Sequence, residues 1–158
     1  MMKFGAFFVG MAAFMLAACN PVEVLDETDT LVDRYQAHWN GGRIDPIWIE
    51  ADEEFRGNVS KAQYAALMTD FQQILGDVKK SERASFNVNS DNGVTTVKVA
   101  MNTQFANGTG VEKFEFIERE GKMGLKAYHV ESGLLEGYDF SQHDGLADKP
   151  ADEAAPAE

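Results

Sequence analysis

The feature that most constrains the fold is a change of hydrophobic period at Gly76. Before it, Tyr64, Leu67, Met68, Phe71, Ile74 and Leu75 recur at helical spacing and form one apolar face. That helix has a marked start, with a capping box from Ser60 to Gln63 and Val59 and Tyr64 placed as a hydrophobic staple. After Gly76 the period is two: Thr95, Val97, Val99, Met101, Thr103 and Phe105 share one face of a strand, and Thr96, Lys98, Asn102 and Gln104 share the other. Helices first and alternating strands afterwards predict an α+β domain, with the helices packed on one face of a curved antiparallel sheet.

The remaining elements follow from local signals. Leu31, Val32, Tyr35 and Trp39 keep helical spacing between an N-cap at Asp29 or Thr30 and a stop at Gly41-Gly42, which predicts a helix over residues 29–40. Asp45-Pro46 is a cap followed by proline at the first helical position, and Ile47, Trp48, Ala51 and Phe55 extend it to a short helix over 46–54. The sheet is expected to have about four strands, over residues 85–89, 95–105, 111–118 and 122–130. Its turns are Asp91-Asn92-Gly93, Asn107-Gly108-Thr109-Gly110 and Arg119-Glu120-Gly121. In the third strand Phe114 and Phe116 face one way and Lys113 and Glu115 the other. Each large side chain buried between the layers contributes roughly 1.5–3 kcal/mol. After Gly137 the pattern fades, and residues 138–158, rich in Ala, Asp, Glu and Pro toward their end, read as a disordered acidic tail.

At the other terminus, Lys3 precedes an apolar or small-residue run over residues 4–18 that ends in Leu16-Ala17-Ala18-Cys19. These four residues resemble the lipobox of bacterial lipoproteins. A run of 15 is short of the about 20 residues a membrane span needs, and fits a signal peptide that is removed. The resemblance implies cleavage between Ala18 and Cys19, with a thioether-linked diacylglycerol and an amide-linked acyl chain on Cys19. Several chains together anchor a protein stably where one does not. Cys19 is the only cysteine, so no internal disulfide or thiolate metal site exists. Asn20, where an aspartate would favour the inner membrane, points to the outer membrane facing the periplasm. The expected organisation is a signal peptide over 1–18, a lipidated cysteine and extended tether over 19–27 reaching roughly 20 Å, and one domain over 28–137. Removing residues 1–18 from 158 leaves 140, the size of one domain with a real core. The net charge of −12 becomes −13 without Lys3, which opposes binding to nucleic acid.

The order of elements, the Ile74-Leu75-Gly76 ending and the spacing Phe105-x-x-Gly108-x-Gly110-x-Glu112-x-Phe114, with Tyr128 in the last strand, resemble the nuclear-transport-factor-like or cystatin-like superfamily, and within it domains of unknown function. The resemblance covers about residues 28–136. It implies a curved sheet wrapped around a long helix, forming a cone whose open end can hold a pocket. The same fold hosts isomerases, dehydratases, binding modules and dimerisation domains, so it does not fix the activity.

Few residues offer chemistry. His38, His129 and His143 are the histidines, and Asp33, Asp52, Glu115 and Glu131 are carboxylates that could pair with one for proton transfer. His38 also suits the C-terminal end of its helix as a cation. Candidate pocket residues are Tyr35, Trp39, Phe71, Met101, Phe114 and His129, although the aromatic set Tyr35, Trp39, Trp48, Tyr64 and Phe71 falls at core spacing. There is no His-x-x-x-His, no Gly-Lys-Ser/Thr phosphate loop and no Gly-x-Ser-x-Gly elbow, so no catalytic residue, metal or cofactor is expected. Asn58-Val59-Ser60 and Asn107-Gly108-Thr109 match the N-glycosylation pattern, which carries no weight in a bacterial chain. The expectation is a non-enzymatic envelope lipoprotein that binds a protein partner or forms a homodimer through its sheet. A small-molecule site, or an isomerase or hydrolase-like enzyme in the cone, is the alternative.

Overall fold

The computed structural model describes residues 21–142. Four helices come first: α1 (Pro21–Asn40), α2 (Ile44–Glu50), α3 (Glu53–Asn58) and α4 (Lys61–Leu75). Four strands follow, β1 (Val78–Asp91), β2 (Val94–Phe105), β3 (Thr109–Arg119) and β4 (Lys122–Glu131), and a 3₁₀ turn over Gly133–Leu135. The strands pair in chain order, each antiparallel to the next. This is the α+β arrangement that the change of period predicts. His143, the acidic segment over 144–158, the signal segment, Ala18 and Cys19 lie outside the described residues.

The first helix begins at Pro21 and not at residue 29, so most of the stretch expected to be an extended tether is helical. The reason lies in Val24 and Thr28, both buried, which continue the stripe of Val32, Tyr35 and Trp39 toward the N-terminus. Thr28 hides the pattern because it is polar. Its hydroxyl donates back to the Val24 carbonyl at 2.6 Å, which satisfies it inside the core.

The short helix expected over 46–54 is two helices. Asp52 breaks it: its side chain accepts from the Glu54 amide at 2.9 Å as the N-cap of α3, and its own amide donates to the Leu125 carbonyl of β4 at 2.8 Å. The first strand starts at Val78, seven residues before its expected start, and carries two register shifts that disturb its alternation. The domain also continues past residue 137. The Tyr138 hydroxyl donates to Asp70 at 2.8 Å, and the Tyr138 and Phe140 rings lie 5.3 and 6.0 Å from Phe71.

The core sits between α1 and the concave face of the sheet, and α4 closes over α1. Trp39 holds the corner, its indole donating to the Gly76 carbonyl at 3.0 Å while its own carbonyl accepts from Gln72 at 2.5 Å. Gly76 ends α4 at φ +77°, where a Cβ would stand 2.8 Å from that of Ala106. Gly110 is required for closeness: a Cβ there would approach the Glu131 carbonyl oxygen to 2.7 Å.

A bulge in β4 decides which side chains face inward. Phe116 pairs with Leu125 and Glu115 with Ala127, leaving Lys126 without an opposite residue. Leu125 and Tyr128, an odd number of positions apart, therefore both reach the inner face, and His129 turns outward.

Candidate functional site

Among the described residues, the charged side chain that is fully buried on the inner face of the sheet is Glu112 of β3, with no exposed surface. It faces inward because it shares parity with Phe114 and Phe116. Three donors meet its carboxylate: Gln36 Nε2 at 2.6 Å and Thr103 Oγ1 at 2.6 Å on Oε2, and the Tyr128 hydroxyl at 2.9 Å on Oε1. The same Gln36 amide donates to Ser81 Oγ at 3.0 Å, and Ser81 lies 3.2 Å from Thr103 Oγ1. Thr103 spends its proton on Glu112, so Ser81 donates to Thr103. The result is a closed ring of hydrogen bonds joining α1, β1, β2 and β3 around one carboxylate. No cation takes part. Burial raises the Glu112 pKa above the usual carboxylate range, and the donations from Thr103, Tyr128 and Gln36 pull against that rise.

A tyrosine layer flanks the ring. The Tyr35 and Tyr128 rings are 4.6 Å apart and Tyr35 meets Phe114 edge-on at 5.1 Å, while its hydroxyl lies 3.2 Å from that of Tyr64. Burial raises the pKa of all three phenols, and the nearby Glu112 charge raises Tyr128 and Tyr35 further, so each stays a neutral donor at ordinary pH.

The candidate pocket residues separate into two groups. Tyr35, Trp39, Phe71, Met101 and Phe114 are all buried, Trp39 completely, and they fill the cone rather than line an opening. His129 is on the other side of the sheet, two-thirds exposed, with Nε2 3.4 Å from Glu131. The bulge at Lys126 is the cause, since strict alternation from Leu125 would have pointed His129 inward. Of the carboxylates expected as histidine partners, Glu131 therefore meets His129, but on the outer face and exposed, and the other three are dispersed. Asp33 is exposed, Asp52 caps α3 and Glu115 pairs with Lys126 at 3.0 Å.

His38 is the more enclosed histidine. Neither imidazole nitrogen has a hydrogen-bond partner among the described residues, and Nε2 stands 3.9 Å from Glu50 Oε1, whose companion Oε2 pairs with Arg34 at 3.0 Å. A cavity of about 30 Å³ between α1, α2 and the sheet adjoins it, room for about one water.

Open surface lies outside the cone. A groove of about 770 Å³ runs over the outer face of the sheet, lined by Lys80, Glu82, Asn102, Gln104, Thr109 and Glu136 among others. A smaller one of about 380 Å³ crosses the middle of the same face over Ala100 and Ala127, rimmed by Lys98, Lys113, Glu115 and His129. Among the described residues no group of three or more His, Cys, Asp or Glu is placed to hold a metal ion, and no helix is long and apolar enough to cross a membrane.

No protein-family model matches the chain, and no curated protein sequence does. Among solved structures the chain is similar to Bd1075 of Bdellovibrio bacteriovorus, with a TM-score of 0.46 and 12% identity over 68% of this chain. The match spans 41% of that protein, less than half its length.

The ring around Glu112 was within reach of the sequence. Glu112 and Thr103 share parity with Phe114 and Met101, and that parity alone turns both inward. Gln36, one position from Tyr35 on α1, has no comparable signal.

Proposed function

We propose that this chain is a bacterial envelope lipoprotein, anchored through Cys19, whose domain is a non-catalytic binding or assembly module facing the periplasm. The observation that carries the reading is the filled cone. Where an enzyme of this shape needs a cavity, Trp39 and Phe114 are packed to 0% and 1% exposure, and the buried carboxylate beside them, Glu112, has its hydrogen bonds met. The surface left for recognition is the outer sheet face with its polar grooves, which suits a protein partner or a second copy of the chain. The test is the intact mass and membrane fractionation of the native protein beside Cys19→Ala. Loss of residues 1–18, added acyl mass and partition with membranes are expected for the native chain and not for the variant. An unlipidated native chain in the soluble fraction would remove the anchor.

One observation favours a second reading, a small-molecule site or an isomerase or hydrolase-like enzyme. Glu112 is a buried carboxylate with a raised pKa beside a phenol, the equipment of a general acid or base. A turnover abolished in Glu112→Gln with the fold intact would establish that reading and displace the first.

A further inference from the structure

The direction of α1 has a consequence for how the domain meets a membrane. Contacts along the helix run in one order. Thr28 touches Met123, at the start of β4; Tyr35 packs on Phe114 and Tyr128, in the middle of their strands; Gln36 bonds Glu112; and Trp39 reaches Phe105 and Gly76. The N-terminus of α1 therefore lies at the end of the domain where β1 turns into β2 and β3 into β4, at Asn92-Gly93 and Glu120-Gly121. The hairpin between β2 and β3 and the 3₁₀ turn occupy the opposite end, where Leu134 packs close against Gly108.

Helix α1 has 20 residues and so a length of about 30 Å. One residue, Asn20, separates its first residue from Cys19, and two peptide units reach at most about 7 Å. We propose that the end of the domain carrying the β1–β2 and β3–β4 turns is seated on the lipid headgroups, with the opposite end held away from the bilayer. The proposal rests on the lipid-anchor reading and adds an orientation to it.

The alternative is a domain lying on its flank. The solvent side of α1 presents Glu23, Asp26, Glu27 and Asp33, and the outer sheet face presents Lys98, Lys113, Glu131 and their neighbours, so neither flank offers the bilayer an apolar face. Of the three large apolar side chains that are exposed among the described residues, Leu134 and Phe140 are at the far end and Ile49 is on α2. The near end is acidic, with Asp91 and Glu120 in its turns, so it has no attraction of its own for anionic lipid. The short link holds it there. Leu134, Phe140 and the large groove are in turn presented to the periplasmic space.

The test uses the full acylated chain in phosphatidylcholine vesicles containing a lipid with a nitroxide on its headgroup. Cys19 is blocked by its thioether, so one added cysteine can carry a fluorophore. Asp91→Cys and Lys122→Cys report the near end, and Thr109→Cys and Glu136→Cys the far end; all four positions are exposed. Quenching severalfold stronger at the near pair is expected. Equal quenching at both ends, or stronger quenching at the far pair, overturns the orientation while leaving the anchor in place. Quenching of the near pair that persists when Cys19→Ala is added shows that the surface and not the link binds lipid, and overturns the proposal in that form. A native chain without acyl mass overturns the anchor and the orientation together.

Discussion

Glu112 is the side chain whose ionisation the core must accommodate. Burial raises its pKa in the folded chain, so the folded state holds the proton more tightly than the unfolded state. Its contribution to stability is therefore present below the unfolded pKa and is lost as pH rises through the folded one. The expected outcome is an unfolding free energy that falls over that window in the wild type and falls less in Glu112→Gln, measured by urea denaturation at a series of pH values. Exposed Glu82 and Glu131, whose pKa values are lowered by Lys80 and Lys113, slope the other way in both proteins and cancel in the difference. Superimposable profiles would refute the assignment. Parity with Phe114 and Phe116 marked Glu112 as inward from the sequence, but a pattern of apolar and polar letters treats a carboxylate as solvent-facing. For Tyr128 and His129 the letters misled more directly. A bulge leaves no mark in composition, and one extra residue at Lys126 exchanged which of the two reached the core.

At the scale of elements, the clear signals were those with a local physical cause. The capped α4 and alternating β2 appear where expected because a capping box, a terminal glycine and an unbroken period of two are all short-range features. The beginning of α1 and the break between α2 and α3 depend on contacts far away in sequence, with Met123 and Leu125, and were not visible locally. The two kinds of glycine give a test at this scale. Gly93 sits at φ +78° with nothing within 4 Å of the place a methyl group would take, so Gly93→Ala is expected to cost about 1 kcal/mol from conformation alone. Gly76 shares the positive φ and adds a contact of 2.8 Å with Ala106. Gly76→Ala is expected to cost about 2–4 kcal/mol, since overpacking is added to the conformational term. Thermal or urea unfolding of the pair decides it; equal losses would mean that the helix terminus yields and the clash is relieved.

For the whole molecule, the question is whether the cone is a solid core or a closed pocket. A solid core makes Trp39 indispensable, because it is fully buried and also ties α1 to Gly76 and Gln72. Trp39→Ala is expected to cost about 3–5 kcal/mol, a large share of the roughly 5–15 kcal/mol that stabilises a typical domain. Circular dichroism and urea unfolding of the variant measure it. A loss below about 1 kcal/mol would instead mean that the cone tolerates empty space, as a pocket does.

The contact between Thr28 and Met123 spans 95 residues of chain. Helix α1 is the first described element in sequence and the sheet that buries its stripe follows all four helices, so the order of synthesis is the reverse of the order of need. Until β4 has emerged, Val24, Val32, Tyr35 and Trp39 have no complete surface to rest against. The hairpins can close early because their partners are neighbours, but α1 must wait for them. A chain arrested before residue 123 would carry that helix with the Thr28 end of its apolar side uncovered, the form most in need of a chaperone.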